Sequence, residues 1–416
     1  MASAAETAVP AAAIPDHVDP ALVVDFDYFA DRRYAEAGSL HGGMIKLRDE
    51  VGQGIFWTPR NGGHWFITDH ELIFEAARDP EIFSSVNASY PPVPEEQEAY
   101  FPPLSLDPPV HGPYRLPLMR AFAPSVINAM AKDIRACAVG LIEAVAGKGR
   151  CDFLTDIAEP LPITIFMKLM GFPLDRYKEF REWVGWLTGG DVALKTEAFG
   201  RVAEMSRPLI EERRTSPRDD LISRLIAAEI NGEPPTQRDL EGFCLLMFGA
   251  GLDTVVNSLS FTMEYLARNP ALQDRLRADP SLIPEAVEEL LRRYSVSSVA
   301  RRVTRDADFH GASLKAGDYV ALPLALGNLD PRAFPDPDRF DLDRENKVHM
   351  TFNAGPHRCV GSHLARLELA VLYDEWLKRM PNVRPDPDRP PRYRAGIVMA
   401  IDALPLLWAP EAPRSA

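Results

Sequence analysis

Hydrophobic positions in this chain recur mainly at the spacing of an α-helix. Residues 126–148 and 160–231 follow that period, apart from glycine-containing breaks. A more apolar run from about Asp239 to Arg268 predicts a long central helix. Another helix is predicted to start near Ser362, directly after a glycine-rich loop. The pattern therefore indicates a mainly helical fold.

Short stretches with the character of β-strands interrupt these helices. Ile55–Thr58 and His64–Thr68 flank a glycine turn and predict a hairpin, after which Asp69 caps a helix. Residues 297–303 and 309–320 alternate around further glycine turns. We expect them to form a small sheet.

The N-terminal third contains two irregular segments. Residues 1–20 are rich in Ala and Pro, which predicts a mobile segment ahead of a single domain from 21 to 416. From Phe83 to Pro113 the chain is rich in proline, and a long irregular loop in a compact protein usually has a function. Tyr100 and Phe101 could line a cavity from this loop, although simple packing against the core explains either residue equally well.

Composition narrows the class of protein. The 416 residues carry a formal charge of -14, which argues against a nucleic-acid partner. Four scattered cysteines form no CxxC pair, as expected in a reducing cytoplasm, and Cys137, Cys151 and Cys244 read as structural. The N-terminus lacks signal-peptide character, and no run of about 18 apolar residues predicts a membrane span. We therefore expect a soluble cytoplasmic protein.

One cysteine lies in a loop suited to holding a metal cofactor. Cys359 stands between Gly355 and Gly361, directly before the helix predicted near Ser362. Glycines allow a tight turn and close approach to a flat ligand, and a helix start favours a thiolate. A thiolate bound to haem iron favours cleavage of the O–O bond.

The middle of the central helix contains residues that disfavour a buried helix. Ala250-Gly251-Leu252-Asp253-Thr254 places Gly, Asp and Thr inside an apolar stretch. A glycine there costs about 1 kcal/mol relative to Ala, and an unpaired buried Asp is also costly. The Thr254 hydroxyl can bond the carbonyl of Ala250 and bend the helix. Several unfavourable choices together indicate a functional site.

The cysteine loop carries a long and specific motif. Phe352, Gly355, His357, Cys359 and Gly361 give F-x-x-G-x-H-x-C-x-G, which resembles the haem-ligand loop of the cytochrome P-450 monooxygenases. The resemblance extends from about residue 50 to 410. It implies the cytochrome P-450 fold, mainly α with small β-sheets. That fold has a triangular-prism helical domain, a β-rich region, and haem between the long central helix and the helix after the cysteine.

The resemblance also implies roles for individual residues. Cys359 would be the axial ligand of haem b, within a loop shaped by Phe352 and Gly361. The haem propionates would be bound by His111, Arg115, Arg301 and His357, with Arg302 a less favoured substitute for Arg301. A structural trio would consist of Glu289 and Arg292, as E-x-x-R, and Arg339, as P-x-R-F. Asp253 and Thr254 would form the acid–alcohol pair that delivers protons during dioxygen activation, with Gly251 making room for dioxygen.

The sequence around Asp253, and Ala403-Leu404-Pro405-Leu406, resemble the bacterial camphor hydroxylase branch in particular. That branch oxidises small terpenoids with electrons from NADH, passed through a flavin reductase and a [2Fe–2S] ferredoxin. Gly249 replaces a larger aliphatic residue, and Tyr100 is one residue out of register, which implies an altered and roomier pocket. The candidate pocket residues are Tyr100, Phe101, Leu246, Gly249, Ala250, Ser297 and Val398.

The ferredoxin would dock on the Cys359 side of a monomer. The candidate basic patch consists of Arg115, Lys347, Arg358 and Arg366, although Lys347 and Arg366 could equally be ordinary solvated cations. Two alternatives are a haem sensor or binder without turnover and a peroxygenase driven by hydrogen peroxide. Neither needs the acid–alcohol pair, so the sequence favours the monooxygenase.

Overall fold

The computed structural model describes residues 11–52, 54–89, 100–188 and 192–409, and this part of the chain is mainly helical, as predicted. Its helices are α1 (Arg32–Ala37), α2 (Leu40–Val51), α3 (His70–Arg78), α4 (His111–Ala121), α5 (Pro124–Ala129), α6 (Ala131–Ala146), α7 (Pro160–Met170), α8 (Tyr177–Thr188), α9 (Val192–Thr215), α10 (Leu221–Ile226), α11 (Gln237–Gly251), α12 (Asp253–Arg268), α13 (Pro270–Ala278), α14 (Ile283–Arg293), α15 (Leu324–Asn328) and α16 (Ser362–Arg379). Its strands are β1 (Ile55–Thr58), β2 (His64–Ile67), β3 (Phe83–Ser84), β4 (Arg150–Asp152), β5 (Ser298–Val303), β6 (Ala307–Phe309), β7 (Ala312–Leu314), β8 (Tyr319–Pro323), β9 (Arg384–Pro385), β10 (Arg392–Arg394), β11 (Ala400–Ala403) and β12 (Pro405–Leu407).

The chain forms two compact units, and the prediction of one catalytic domain from 21 to 416 stays a prediction. The first comprises the described residues of Met1–Arg115, Arg292–Cys359 and Arg394–Ala400. The second comprises those of Leu116–Leu291, Val360–Tyr393 and Ile401–Ala416. Each unit is therefore assembled from segments that are distant in sequence.

A five-stranded sheet forms the core of the first unit, in the order β1-β2-β8-β5-β3. β1 and β2 form the predicted hairpin, with Ile55 opposite Ile67. β2 runs parallel to β8, and β5 runs antiparallel to both β8 and β3. The β1–β2 strands are buried on both faces, and Trp57 and Trp65 belong to the core beneath them.

The start of the described chain is attached to this sheet, although residues up to 20 were predicted to be mobile. The Ala12 N–H donates to the carbonyl of Pro59 at 2.7 Å, and Val18 is buried. His17 Nε2 lies 3.0 Å from an Asp318 carboxylate oxygen. Residues 11–20 are held because an apolar side chain and a main-chain hydrogen bond both join them to the hairpin.

A buried arginine organises the segment that leads to the cysteine loop. Arg292 is fully buried, and its guanidinium donates to the carbonyls of Asn328 (2.7 Å), Pro337 (2.8 Å) and Arg339 (3.2 Å). Arg339 therefore contributes its carbonyl, whereas its exposed side chain pairs with Asp341. The buried guanidinium beside it belongs to Arg344, which donates to the same carbonyl at 3.0 Å. The predicted trio is thus altered, because the second buried arginine is Arg344 and the Arg339 side chain points to solvent.

The second unit is built from long helices around a buried aromatic centre. Trp376 of α16 packs edge-to-face against Phe153 and against Trp408. Arg135 of α6 reaches Asp374 of α16 at 2.7 Å. A three-stranded sheet, in the order β4-β12-β9, closes one end of this unit.

The predicted central helix is present but interrupted. α11 ends at Gly251 and α12 begins at Asp253, with Leu252 between them at φ -108° and ψ -60°. A capping box between Thr236 and Asp239 fixes the start of α11. Contrary to the sequence expectation, Gln237–Arg268 is long and apolar enough to span a membrane by composition, but 61% of its most apolar window is buried inside the protein.

Candidate functional site

The cysteine loop is a tight, hydrogen-bonded turn that opens α16. The Cys359 N–H donates to the carbonyl of Phe352 at 2.8 Å. Asn353 and Gly355 adopt positive φ angles of 60° and 66°. A side chain at Gly355 would collide with the carbonyl of Ala77, so glycine is needed for both the turn and the close approach. The sulfur is thereby held at the end of a rigid loop.

Cys359 differs in exposure from the other three cysteines. Cys359 is exposed, whereas Cys151 and Cys244 are buried and Cys137 is half-buried. Burial raises the pKa of each of those three thiols, which keeps them protonated. The accessible sulfur is thus the one in the predicted ligand position.

Two histidines predicted to bind a cofactor carboxylate lie together in the first unit. The rings of His111 and His357 are 4.5 Å apart, centroid to centroid, in an edge-to-face arrangement. Both side chains are buried, and burial lowers the pKa of both, to about 4 for His111. Both rings are therefore neutral at pH 7, and each carries one N–H that can be donated.

Asp107 anchors this pair from the turn before α4. Its carboxylate accepts from the Ser84 hydroxyl at 2.5 Å and the Ser85 N–H at 2.9 Å, and lies 3.8 Å from His357 Nε2. Burial acts to raise the pKa of Asp107, but His357 and Ser84 together hold it below its usual value. The last distance exceeds hydrogen-bond range, so Asp107 orients His357 electrostatically.

Arg301 adds a buried positive charge to the cluster. It is 3% exposed, and burial lowers the pKa of its guanidinium to about 10, with Asp107 acting in the opposite direction. One amino group donates to the carbonyl of Ala300 at 2.7 Å. Its neighbour Arg302 is half-buried and pairs with Ser84 in the sheet, so the strand directs Arg301 inward.

Arg115 joins the cluster to the cysteine loop. Its guanidinium donates to the carbonyl of Arg358. Burial lowers the pKa of Arg115, whereas the nearby Cys359 sulfur acts to raise it. Arg115 therefore lies where it can stabilise negative charge next to Cys359.

The hydrogen bonds of this cluster are incomplete in a way that fits a haem. His111 Nε2, His357 Nε2 and Arg301 Nη2 are buried and have no hydrogen-bond partner among the residues that the structure describes. Buried nitrogens in proteins are nearly always paired, and three donors of this kind match the two carboxylates of a haem. Together with the exposed Cys359, they form a donor set suited to that group.

The predicted acid–alcohol pair lies at the interruption of the central helix. The Thr254 hydroxyl donates to the carbonyl of Ala250 at 3.2 Å, which is the contact expected from the sequence. Gly251 is exposed although the flanking helices are largely buried. A side chain added at Gly251 would meet only the Phe166 ring, at 3.9 Å, within the described part of the chain. The helix is thus open at this point, with Asp253 and Thr254 beside the opening.

Asn257 is a polar partner of Asp253 that the sequence interpretation missed. Its amide N–H group donates to the Asp253 carboxylate at 2.6 Å and to the Asp253 carbonyl at 2.9 Å. Its amide oxygen accepts from the Ile401 N–H at 3.0 Å. An Asn one helical turn after an Asp, inside an apolar stripe, was the available signal.

Gly249 has an aromatic neighbour, and the roomier pocket that its sequence position implied stays a prediction. A side chain at this position would lie 3.2 Å from the ring of Phe199, which projects from α9. Phe199 therefore fills the space that a larger residue at 249 would occupy. Leu246, one turn earlier, is buried.

Of the other candidate pocket residues, Ala250 lies in the second unit, and Tyr100, Phe101, Ser297 and Val398 lie in the first. Ser297 forms an isolated bridge with Val398, and the Ser298 N–H donates to the carbonyl of Ile397 at 2.7 Å. Tyr100 and Phe101 are half-buried, and their role in a pocket stays a prediction. A cavity of about 120 Å³ opens beside these strands, and its lining is Tyr28, Ala88, Ser298, Val299, Ala300, Ala321 and Ile397.

The proposed basic patch is smaller than expected. Arg366 forms a two-pronged ion pair with Glu288, at 2.5 and 2.9 Å, so its charge is neutralised locally. Arg358 is exposed, while Arg115 and Lys347 are half-buried. Arg358 therefore offers the most accessible charge beside Cys359.

The residues expected of a haem-thiolate oxygenase are therefore present: an exposed thiol and buried donors for carboxylates in the first unit, and an acid–alcohol pair in the second. Comparison with known proteins gives the same answer. Residues 129–403 match the family model "Cytochrome P450". The chain belongs to the cytochrome P450 family of monooxygenases, and the family implies a haem cofactor, a redox partner and a substrate.

Several relatives are similar over most of their length. A probable cytochrome P450 127A1 of Sinorhizobium fredii is 36% identical over 403 residues, which are 95% of this chain and 97% of the relative. A steroid C26-monooxygenase of Mycobacterium tuberculosis is 32% identical over 83% of this chain and 94% of its own length. The crystal structure of CYP101J2 has a TM-score of 0.89 and 38% identity, covering 95% of this chain and 99% of that one. That of CYP101C1 has a TM-score of 0.88 and 34% identity, covering 95% and 100%.

Proposed function

We propose that this monooxygenase hydroxylates an unactivated C–H bond of a small hydrophobic terpenoid such as a camphor-, cineole- or ionone-like compound. The two electrons come from NADH through a flavin reductase and a [2Fe–2S] ferredoxin. The observation that carries the oxygenase assignment is the opened central helix, in which Asp253 and Thr254 begin the helix that follows the opening at Gly251. The enzyme acts as a soluble cytoplasmic monomer.

Each residue of the cluster has a place in cofactor binding. Cys359 would provide the thiolate ligand, and the loop turn at Asn353 and Gly355 fixes its position. His111, His357 and Arg301 would donate to the haem carboxylates, and Arg115 would supply positive charge beside the cysteine. When bound, the haem supplies the activation of dioxygen and the transfer of one oxygen atom to the substrate.

The protein contributes proton transfer. Asp253 is half-buried, so its carboxylate can exchange protons with solvent and pass them to the Thr254 hydroxyl. Thr254 presents the proton at the helix opening, next to Gly251. Without this delivery at the helix opening, we expect hydrogen peroxide in place of the hydroxylated product.

A compact substrate is supported by Phe199. Its ring lies beside Gly249, two residues before Gly251 of the opening, and a side chain added at position 249 would meet it at 3.2 Å. The second candidate is a steroid or a methyl-branched lipid, because relatives with 32% and 33% identity carry the names steroid C26-monooxygenase and methyl-branched lipid omega-hydroxylase. Those molecules are longer than a terpenoid and need more space than Phe199 leaves beside Gly249.

A spectral titration tests the substrate class. The purified ferric protein is titrated with camphor, 1,8-cineole, β-ionone, a C27 steroid ketone and a methyl-branched fatty acid, while the haem Soret band is followed. We expect a low- to high-spin change of the haem iron with one of the three terpenoids. A change only with the steroid or the fatty acid would leave the monooxygenase assignment intact but contradict the terpenoid as substrate. Product formed with hydrogen peroxide alone, and none with NADH, reductase and ferredoxin, would instead identify a peroxygenase.

The Phe199→Ala variant sharpens this test. Removing the ring should weaken the spectral response to the terpenoid and strengthen the response to the steroid, because the space beside Gly249 widens. Leu194→Ala on the exposed face of the same helix is the matched control and should leave both responses unchanged. Equal responses in the Phe199 variant and the wild type would remove Phe199 as a determinant of substrate size.

A further inference from the structure

Asn257 connects the Asp253 side chain to the main chain of β11. It is 2% exposed and lies one helical turn after Asp253. Its amide group donates to the Asp253 carboxylate at 2.6 Å and to the Asp253 carbonyl at 2.9 Å. On the other side, its amide oxygen accepts the Ile401 N–H at 3.0 Å.

This arrangement fixes the orientation of the amide. The main-chain N–H of Ile401 can only donate, so the atom facing it must be the oxygen of Asn257. The NH₂ group must then face Asp253. Reversing the amide would break the contacts with Asp253 and Ile401, and would set an oxygen against the carboxylate. The Asp253 side chain therefore has a fixed donor whose position is set by a strand.

We propose that Asn257 is a positioning residue, which holds the Asp253 carboxylate in the orientation from which it passes protons to Thr254. The proposal rests on the proposed function, in which Asp253 and Thr254 form the proton path. Asn257 itself transfers no proton. A carboxylate released from Asn257 samples several orientations, and proton delivery falls because proton transfer requires hydrogen-bond distance.

The Asn257→Asp variant separates positioning from folding. The new carboxylate keeps an oxygen for the Ile401 N–H but removes the donor that faces Asp253. Asn269→Asp is the matched control, since Asn269 Nδ2 also bonds the carbonyl four residues earlier, that of Tyr265, at 2.6 Å. It makes the same change of charge at the end of the same helix, away from Asp253. If Asn257→Asp does not fold, Asn257→Ser replaces it, because Ser can still bond the Asp253 carbonyl but is too short to reach the carboxylate.

Crystal structures of the three haem-loaded proteins give a readout that does not depend on turnover. We expect one Asp253 orientation in the wild type and in Asn269→Asp, and a rotated or divided carboxylate in Asn257→Asp. An unchanged Asp253 in the Asn257 variant would overturn the proposal.

Turnover gives the second readout, with the terpenoid that produces the largest Soret change. Product per NADH should fall about 10-fold in Asn257→Asp, with a matching rise in hydrogen peroxide, because the carboxylate is disordered rather than removed and a misplacement of about 1 Å costs up to roughly 10²-fold. The solvent deuterium isotope effect on NADH oxidation should also rise, and Asn269→Asp should match the wild type. Wild-type yield and isotope effect in the Asn257 variant would refute the inference. A wild type that makes no product with NADH would instead refute the proposed function, while the crystal structures would still decide the role of Asn257.

Discussion

Two polar sites lie in apolar surroundings: the cluster of His111, His357 and Arg301, and the interrupted helix around Asp253. They differ in whether their polar atoms have hydrogen-bond partners within the protein. In the cluster, three buried nitrogens have no partner in the part of the chain that the structure describes. At the interruption, Thr254 and Asn257 bond main-chain carbonyls, and Asn257 also holds the Asp253 carboxylate. The first site is built to be completed by a ligand, whereas the second is built to hold its own side chains in place.

The difference predicts separate consequences of mutation. Changes in the cluster and its loop should affect how the cofactor is bound. Changes at the interruption should leave the cofactor bound and affect only what happens to oxygen and protons. The following variants test that separation, beginning with the largest expected effect.

Replacing Cys359 by Ser should abolish thiolate ligation, because the hydroxyl is a far weaker ligand at neutral pH. We expect loss of the thiolate-type spectrum of the ferrous carbon monoxide complex and of most oxygenation. Cys137→Ser, at a half-buried cysteine of the second unit, is the control and should keep both. A thiolate spectrum that survives the Cys359 change would disprove the ligand assignment.

Replacing Thr254 by Ala should leave cofactor and substrate binding unchanged but divert oxygen to hydrogen peroxide. Product per NADH should fall on the order of 10²-fold, the usual loss when a proton-transfer group is removed. The measurement is a balance of NADH, peroxide and product. An unchanged product yield per NADH would exclude Thr254 from the proton path.

Replacing Arg301 by Gln should weaken haem binding, since it removes a buried charged donor. Hydrogen bonds to charged groups contribute about 1.5–3 kcal/mol, so haem should transfer to apomyoglobin roughly 10-fold faster or more. Arg302→Gln, on the outward-facing neighbour, should transfer haem at the wild-type rate. Equal rates for the two variants would argue against a carboxylate contact at Arg301.

The smallest expected effect concerns stability rather than activity. Glu368 in α16 is 2% exposed, and burial raises the pKa of its carboxyl to about 8. Folding then favours the protonated form, so stability is lost as pH rises from about 4.5 to 8, by about 1.4 kcal/mol per pH unit at most. Glu368→Gln should therefore raise the unfolding temperature at pH 8 more than at pH 5.

A second buried glutamate on the same helix provides the contrast. Glu375 lies 3.4 Å from Lys378 and also pairs with Arg379 and Arg135. Glu375→Gln should lower stability at pH 7, because Arg379 loses its carboxylate partner while Arg135 and Lys378 keep only Asp374. If Glu368→Gln lowers the unfolding temperature at pH 8, as Glu375→Gln should, then burial does not raise the pKa of Glu368.

Several features of the fold and of the candidate site could be predicted from the sequence because they depend on local patterns. The Cys359 loop, the hairpin and the start of α16 near Ser362 follow from glycine spacing and periodicity. Asp253 and Thr254 were visible because they break a helix rule. Asn257 could have been found by the same reasoning, since it lies one turn after Asp253.

Other parts depend on tertiary packing. Phe199 occupies the space beside Gly249 from 50 residues away, and no local signal connects the two positions. The buried arginine beside Arg292 proved to be Arg344, because the P-x-R-F pattern does not say which way the Arg339 side chain turns. Which side chain is buried at such a position depends on packing between segments that are distant in sequence.

The three hydrogen bonds that Arg292 donates to main-chain carbonyls also bear on the order in which the chain folds and binds its cofactor. The three carbonyl partners of Arg292 lie between residues 328 and 339, and Asn328 in turn accepts the Met350 N–H at 2.8 Å and donates to the Thr351 hydroxyl at 2.8 Å. These bonds shape the approach to Cys359 with protein atoms alone. We therefore expect the segment that leads to Cys359 to fold before haem binds. The haem would then bind to a cysteine loop that already has its final conformation.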